Sequence, residues 1–240
     1  MTSTTPTTIA SVADVLDRLT GRRGAGDVRW YRGQSDCNWG LTAAVFRRRS
    51  HLEAELDMLK KFRQNAMQRL QRLPSSDWEW LFLAQHHGLP TRLLDWSENP
   101  LVALYFAVQN IESDGAFFEL NPRALNDYAA TGAPRVVMFD HDPLLNDYLP
   151  TEGPKLAGHP VAAIAGRSFD RIVAQTGTFT VSKAGSDLLQ LQGGAFVEQM
   201  TIPRAAKSSI TAELSDLNIN EGTVYPDLAH IGNFLKEQYG

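Results

Sequence analysis

The 240-residue chain has a single cysteine, Cys37. One thiol closes no internal disulfide and cannot build a cysteine-rich zinc site, so a reducing cytoplasm is the expected setting. No apolar run approaches the ~20 residues that span a bilayer, and no membrane partner is expected. The opening MTSTTPTTIA has neither a basic stretch nor an apolar core, so no secretory signal is expected. Also missing are GxGxxG after a strand, GxxxxGK(S/T), GxSxG and HExxH, the common dinucleotide, phosphate-loop, hydrolase and zincin signatures. The histidines include one adjacent pair, His86 and His87, and His141 between two aspartates. Neighbours on a helix point ~100° apart, so the pair does not share an ion, and no metal is expected.

What is present is ordinary globular composition, 43% hydrophobic and 21% charged, which excludes a disordered, collagen-like or coiled-coil chain. The net charge of −4 hides an asymmetry: residues 22–72 carry net +7 and the remainder −11. That segment is either a solvated helical face or a surface that attracts a polyanion.

Hydrophobic spacing and punctuation predict the elements. Residues 1–8 are expected to be a frayed, threonine-rich tail. Ile9, Val12, Val15, Leu16 and Leu19 predict a helix, with Ser11 and Asp14 marking its start. VRWYRG predicts a strand. One long helix is expected to start at a Ser50–Glu53 capping box and stop at Pro74, and a second box, Ser76 with Glu79, opens DWEWLFLAQHH. Gly88 fits a left-handed cap there. TRLLDWS predicts a strand, and Asn99-Pro100 the N-cap and first position of the next helix. GAFFEL, RVVMFD, TGTFTV and AFVEQMTI read as strands; 121–134 and about 142–168 read as loop-rich; helices are expected at about 203–216 and 227–238. With no repeat and no long linker, the reading is one α+β domain over residues 9–240, a helical N-terminal half packed on a strand-rich core.

Four polar clusters lie in or beside apolar segments. In Trp30-Tyr31-Arg32-Gly33-Gln34, an arginine within an aromatic strand needs an anion or a carboxylate such as Asp95. Gln85 to Ser97 sets His86, His87, Thr91, Arg92 and Asp95 around an apolar strand, which implies a hydrogen-bonded network or a site. Arg171 to Thr180 is the third cluster. Tyr225-Pro226-Asp227-Leu228, the fourth, reads mainly as the start of the last helix.

Together WYRGQ, WEWLFLAQHHGLPTRLLDWSENPLVALYFAV, AQTGTFTV and VYPDL resemble the FRG domain, named for its (F/Y)RG motif, from about Val28 to Tyr239. A second resemblance is to arginine-class ADP-ribosyltransferases. They order a strand arginine, a Ser-Thr-Ser strand end before an A-x-x-F-A helix, and a strand with Gln/Glu-x-Glu. Here Arg32, then Asp95-Trp96-Ser97 before Ala103-Leu104-Tyr105-Phe106-Ala107, then Gln175 follow that order. Gln175 is neutral and the Glu-x-Glu is missing, so Asp95, Glu198 or Glu221 is left to offset a ribosyl cation.

That resemblance implies a split-sheet core and an NAD-dependent ADP-ribosyltransferase-like enzyme of toxin or phage-defence type. Its catalytic group would be Arg32, Ser97, Gln175 and Asp95. NAD would be held by Tyr31, Gly33, Gln34, His87, Thr91, Arg92, Trp96 and Phe179. The acceptor, nucleic acid or protein, would dock on the basic 22–72 segment, and an antitoxin partner is an associated expectation. The alternative is a non-catalytic nucleotide- or nucleic-acid-binding module using the same pocket.

Overall fold

In a computed structural model, residues 8–21, 28–129, 131, 135–151, 158–167, 169–191 and 195–240 are described. The elements run α1 (Val12–Gly21), β1 (Trp30–Gln34), α2 (Arg49–Glu53), α3 (Glu55–Ala66), α4 (Asp77–His86), β2 (Leu93–Ser97), α5 (Pro100–Ala107), β3 (Gly115–Leu120), α6 (Pro122–Tyr128) and β4 (Val137–Met138). There follow β5 (Val161–Ile164), α7 (Asp170–Ala174), β6 (Gly177–Val181), β7 (Val197–Ile202), α8 (Lys207–Asp216), α9 (Glu221–Val224) and α10 (Leu228–Tyr239). The strands form one mixed sheet in the order β4-β5-β6-β2-β1-β3-β7, antiparallel except for β4 with β5. This is an α+β fold. No helix among the described residues is long and apolar enough to cross a membrane.

Strand alternation buries the central sheet on both faces. Trp30, Phe118 and Leu120 pack with Leu41, Leu94 and Trp96 on one side. Tyr31 and Phe117 face Val102, Ala103 and Leu104 of α5 on the other. α5 has no polar stripe, as expected of a helix enclosed on most sides, and Asn99 caps it by accepting from the Leu101 N–H, with Pro100 in the first turn. It lies so close to β1 that a Cβ on Gly33 would sit 1.8 Å from the Ala103 carbonyl oxygen. Glycine is required there to let helix and strand backbones approach.

Several expectations change. The helix over 50–73 is two, because its chain turns at Ala54. No Ser50–Glu53 box forms; the N-cap of α2 is Arg48, without a side-chain bond. The buried residue at the start of α3 is Glu55, which turns inward to meet Arg92. At α4, Ser76 accepts from the Glu79 N–H, but the Glu79 carboxylate reaches Ser75 rather than closing the box. RVVMFD contributes only two strand residues, and VAAI, inside the segment expected to be loop, forms β5. Ser11 and Asp14 do bond reciprocally, and Gly88 is left-handed at φ +83°. Thr8 bridges Thr201 rather than fraying; residues 1–7, Arg22 and Arg23 lie outside the described residues.

Candidate functional site

The sheet is joined unevenly at its centre. β1 pairs with β3 through five residue pairs, but meets β2 at one, Tyr31 opposite Ser97. Past that pair Arg32 donates through Nη1 to the main-chain oxygen of Asp95 at 2.6 Å. Its Nε, fully covered, has no hydrogen-bond partner, and among the described residues no carboxylate lies within ion-pair distance. Burial pulls the Arg32 pKa down to about 10; Asp95 raises it and Arg47 lowers it further. The pairing of Arg32 with the Asp95 carboxylate, one of the readings of the sequence, is not made. That carboxylate is exposed and accepts from Gln85 Nε2 at 2.6 Å, and Gln85 is held in turn by the Thr91 hydroxyl.

Three openings converge on this point, and Asp95 lines all of them. Two form one groove sharing Trp96, Arg171 and Gln175: a part of about 190 Å³ with Tyr31, Arg32, Gly33, Ser97 and Phe106, and a part of about 80 Å³ with Phe82, His86 and Phe179. The third, about 560 Å³, lies beyond Arg32 and takes in Arg47, Arg48, His51 and Thr91. Arg32, Ser97 and Gln175, far apart in sequence, therefore line one groove.

Their side chains are not equally free. Ser97 Oγ donates to the Gln175 carbonyl at 2.6 Å and accepts from the Asn99 N–H at 2.9 Å, tying the end of β2 to the turn before β6. Gln175 ends α7, and its Nε2 donates to the Val224 carbonyl at 3.2 Å. Trp96 is buried and donates to Thr180 Oγ1. Phe179 stacks on Phe82 with centroids 5.0 Å apart, so it presents an apolar wall rather than a free ring.

Three expected ligand residues are placed otherwise. Arg92 is sealed in the core, its Nε donating to Glu55 at 2.9 Å, its Nη2 to the same carboxylate and its Nη1 to the Tyr148 carbonyl. Gln34 is buried and donates to the Gly40 carbonyl, outside these openings. His87 packs on Phe62, one helical step away from the groove. Gly33 does line the groove, with the side on which a Cβ would stand filled by α5. Of the three carboxylates, Asp95 lines the groove; Glu198, on β7, is held by Arg18, and Glu221 opens α9 outside the groove.

Two groove residues stand outside the set expected from sequence. Arg171, four residues before Gln175 and so on the same face of a helical turn, stands with its guanidinium 5.0 Å over the Tyr225 ring. His86, four residues after Phe82, holds the position expected for His87; burial, then Arg171, lowers its pKa. Helical phase alone would have favoured both.

Residues 28–115 match the family model of the FRG domain, covering β1 through the start of β3. That stretch of the chain is similar to the FRG domain. No curated protein and no solved structure matches the chain. Within the FRG match lie Arg32, the Gln85–Ser97 network and α5; Arg171 and Gln175 lie beyond it and complete the groove from the C-terminal side.

Proposed function

We propose that the groove between β1 and β2 binds NAD and that the protein is an ADP-ribosyltransferase-like enzyme. The observation that carries this reading is Arg32: a charged fork set between two central strands, without a carboxylate and with an unused donor. Desolvating a guanidinium is costly without an anion, and a pyrophosphate supplies the bidentate acceptor that a planar fork suits. Arg171 lines the same groove and adds a second cation. The groove's size suits the nicotinamide-ribosyl pyrophosphate half of the dinucleotide, leaving the adenosine half toward solvent. Tyr31 and Phe106 supply flat apolar surface for the nicotinamide ring.

In the transfer step the bond between ribose C1′ and the nicotinamide ring nitrogen breaks. The electron pair leaves with nicotinamide, which departs neutral. The ribose is left cationic, and a nucleophilic oxygen or nitrogen of the acceptor forms the new bond and sheds its proton to water. The Asp95 carboxylate, fixed by Gln85, would offset that cation. Ser97 and Gln175 act here by positioning the strand end and turn, their bonding groups being engaged within the protein.

A second reading, a nucleotide-binding module without turnover, is favoured by one observation: Gln175 is neutral and its amide nitrogen is committed to the Val224 carbonyl. Incubation with NAD and chromatography for released nicotinamide decides between them. The enzyme reading expects release by the wild type and release slowed by about 100-fold or more in Asp95→Asn, with NAD binding kept. NAD binding with no nicotinamide release by the wild type would establish the module instead.

A further inference from the structure

The 560 Å³ cleft on the far side of Arg32 is not used by the dinucleotide as placed above. It falls within the size range of ligand pockets, roughly 300–1,000 Å³. Its charged lining is Arg32, Arg47 and Arg48 against the single carboxylate of Asp95, with His51 beside them. Arg47 spends its Nε on the Thr42 carbonyl. Neither Arg47 nor Arg48 has a carboxylate partner among the described residues, whereas their neighbour Arg49 is paired with Glu53. The covered Nδ1 of His51 likewise has no hydrogen-bond partner. The apolar part of its lining is Leu89, Pro90, Leu93 and Leu94. Guanidiniums beside apolar lining match a ligand that alternates phosphates with planar bases.

A transfer between two substrates needs two sites that meet at the reacting atoms. This cleft shares Arg32 and Asp95 with one part of the groove, and Gln85 and Asp95 with the other. We infer that it is the acceptor site and that the acceptor is a single-stranded nucleic acid, whose phosphates bind Arg47 and Arg48 while a base enters toward Asp95. A duplex would have to release its base to fit, because chemistry on a base takes it out of the stack. That the bound strand is an acceptor rests on the NAD reading. Strand binding itself is tested without NAD, so the two stand or fall separately.

The test is fluorescence anisotropy of labelled 12-nucleotide RNA and DNA strands across a salt series, with no NAD present. The wild type should bind with affinity that falls as salt rises. Arg47→Ala/Arg48→Ala should weaken binding on the order of tenfold or more and flatten the logarithmic salt slope by about 0.7 for each phosphate no longer neutralised. Both arginines are exposed, and circular dichroism confirms that the variant is folded. Arg69→Ala/Arg72→Ala, from the same basic segment but outside the cleft, should bind like the wild type; an equal loss of affinity there would overturn the site. Absence of strand binding, displacement of the strand by poly-glutamate at matched charge, or competition by saturating ADP-ribose would also overturn it. The last result would place the dinucleotide in this cleft.

Discussion

Arg92 and Arg32 stand on neighbouring central strands or their approach, each flanked by hydrophobic residues, and their surroundings differ in kind. Arg92, at the entrance to β2, gives two donors to Glu55 and a third to the Tyr148 carbonyl, and only 2% of it reaches solvent. Arg32, on β1, has one main-chain acceptor, an unused Nε and a repelling neighbour in Arg47. The first arrangement is closed and complete. The second is open and has no carboxylate partner among the described residues. Charge satisfaction, rather than sequence context, separates an arginine that holds the fold from the one proposed to bind an anion.

The comparison breaks most visibly through Arg92. Arg92→Met strands the buried Glu55 carboxylate and should cost about 3–5 kcal/mol, lowering Tm by roughly 6–20 °C for a chain of this size. Adding Glu55→Met should restore most of the stability, which chemical denaturation would measure. Arg32→Met should leave stability within about 1 kcal/mol of the wild type, since the missing bond to Asp95 is offset by removing a stranded donor. The same change should weaken NAD or ADP-ribose by roughly 10–100-fold in calorimetry, the worth of a charge-assisted hydrogen bond. Arg32→Lys should recover little of it, because a point charge cannot make the bidentate contact.

A smaller effect follows from pH. With Arg32 lowered from its ordinary range to about 10, ADP-ribose affinity should hold to about pH 9 and fall as pH passes 10. The sign for stability is opposite. Above pH 10 the unfolded chain still holds the proton that the folded chain has released, so the contribution of Arg32 to stability rises there with pH. Calorimetry from pH 8 to 10.5 reads the affinity arm; flat affinity across pH 10 would mean that Arg32 is not the anion's partner.

Much of the fold is legible in the residues themselves. WYRGQ, GAFFEL and TGTFTV declare strands by β-branched and aromatic content, and Asn99-Pro100 and Gly88 declare helix ends by backbone chemistry. These are local signals. Glu55 with Arg92 is not local: nothing in helical periodicity says that a glutamate at the head of α3 will turn inward to meet a residue 37 positions on. For the same reason Arg92 and Arg32 are indistinguishable in sequence, where both qualify as ligand candidates. β5 is hidden because VAAI is short and set among loop residues. The groove's second arginine is hidden because Arg171 to Gln175 reads as the approach to a strand rather than as a turn of helix, where the two share a face.

The most direct measurement is thermal denaturation of wild type, Arg32→Met and Arg92→Met, each with and without saturating ADP-ribose. The account predicts that ADP-ribose raises the melting point of the wild type. It predicts that Arg32→Met melts close to the unliganded wild type and gains less from the ligand than the wild type does, while Arg92→Met melts far lower. Arg32→Met falling as far as Arg92→Met, with ADP-ribose raising its melting point by as much as it raises the wild type's, would contradict the assignment of Arg32 as an anion-binding residue.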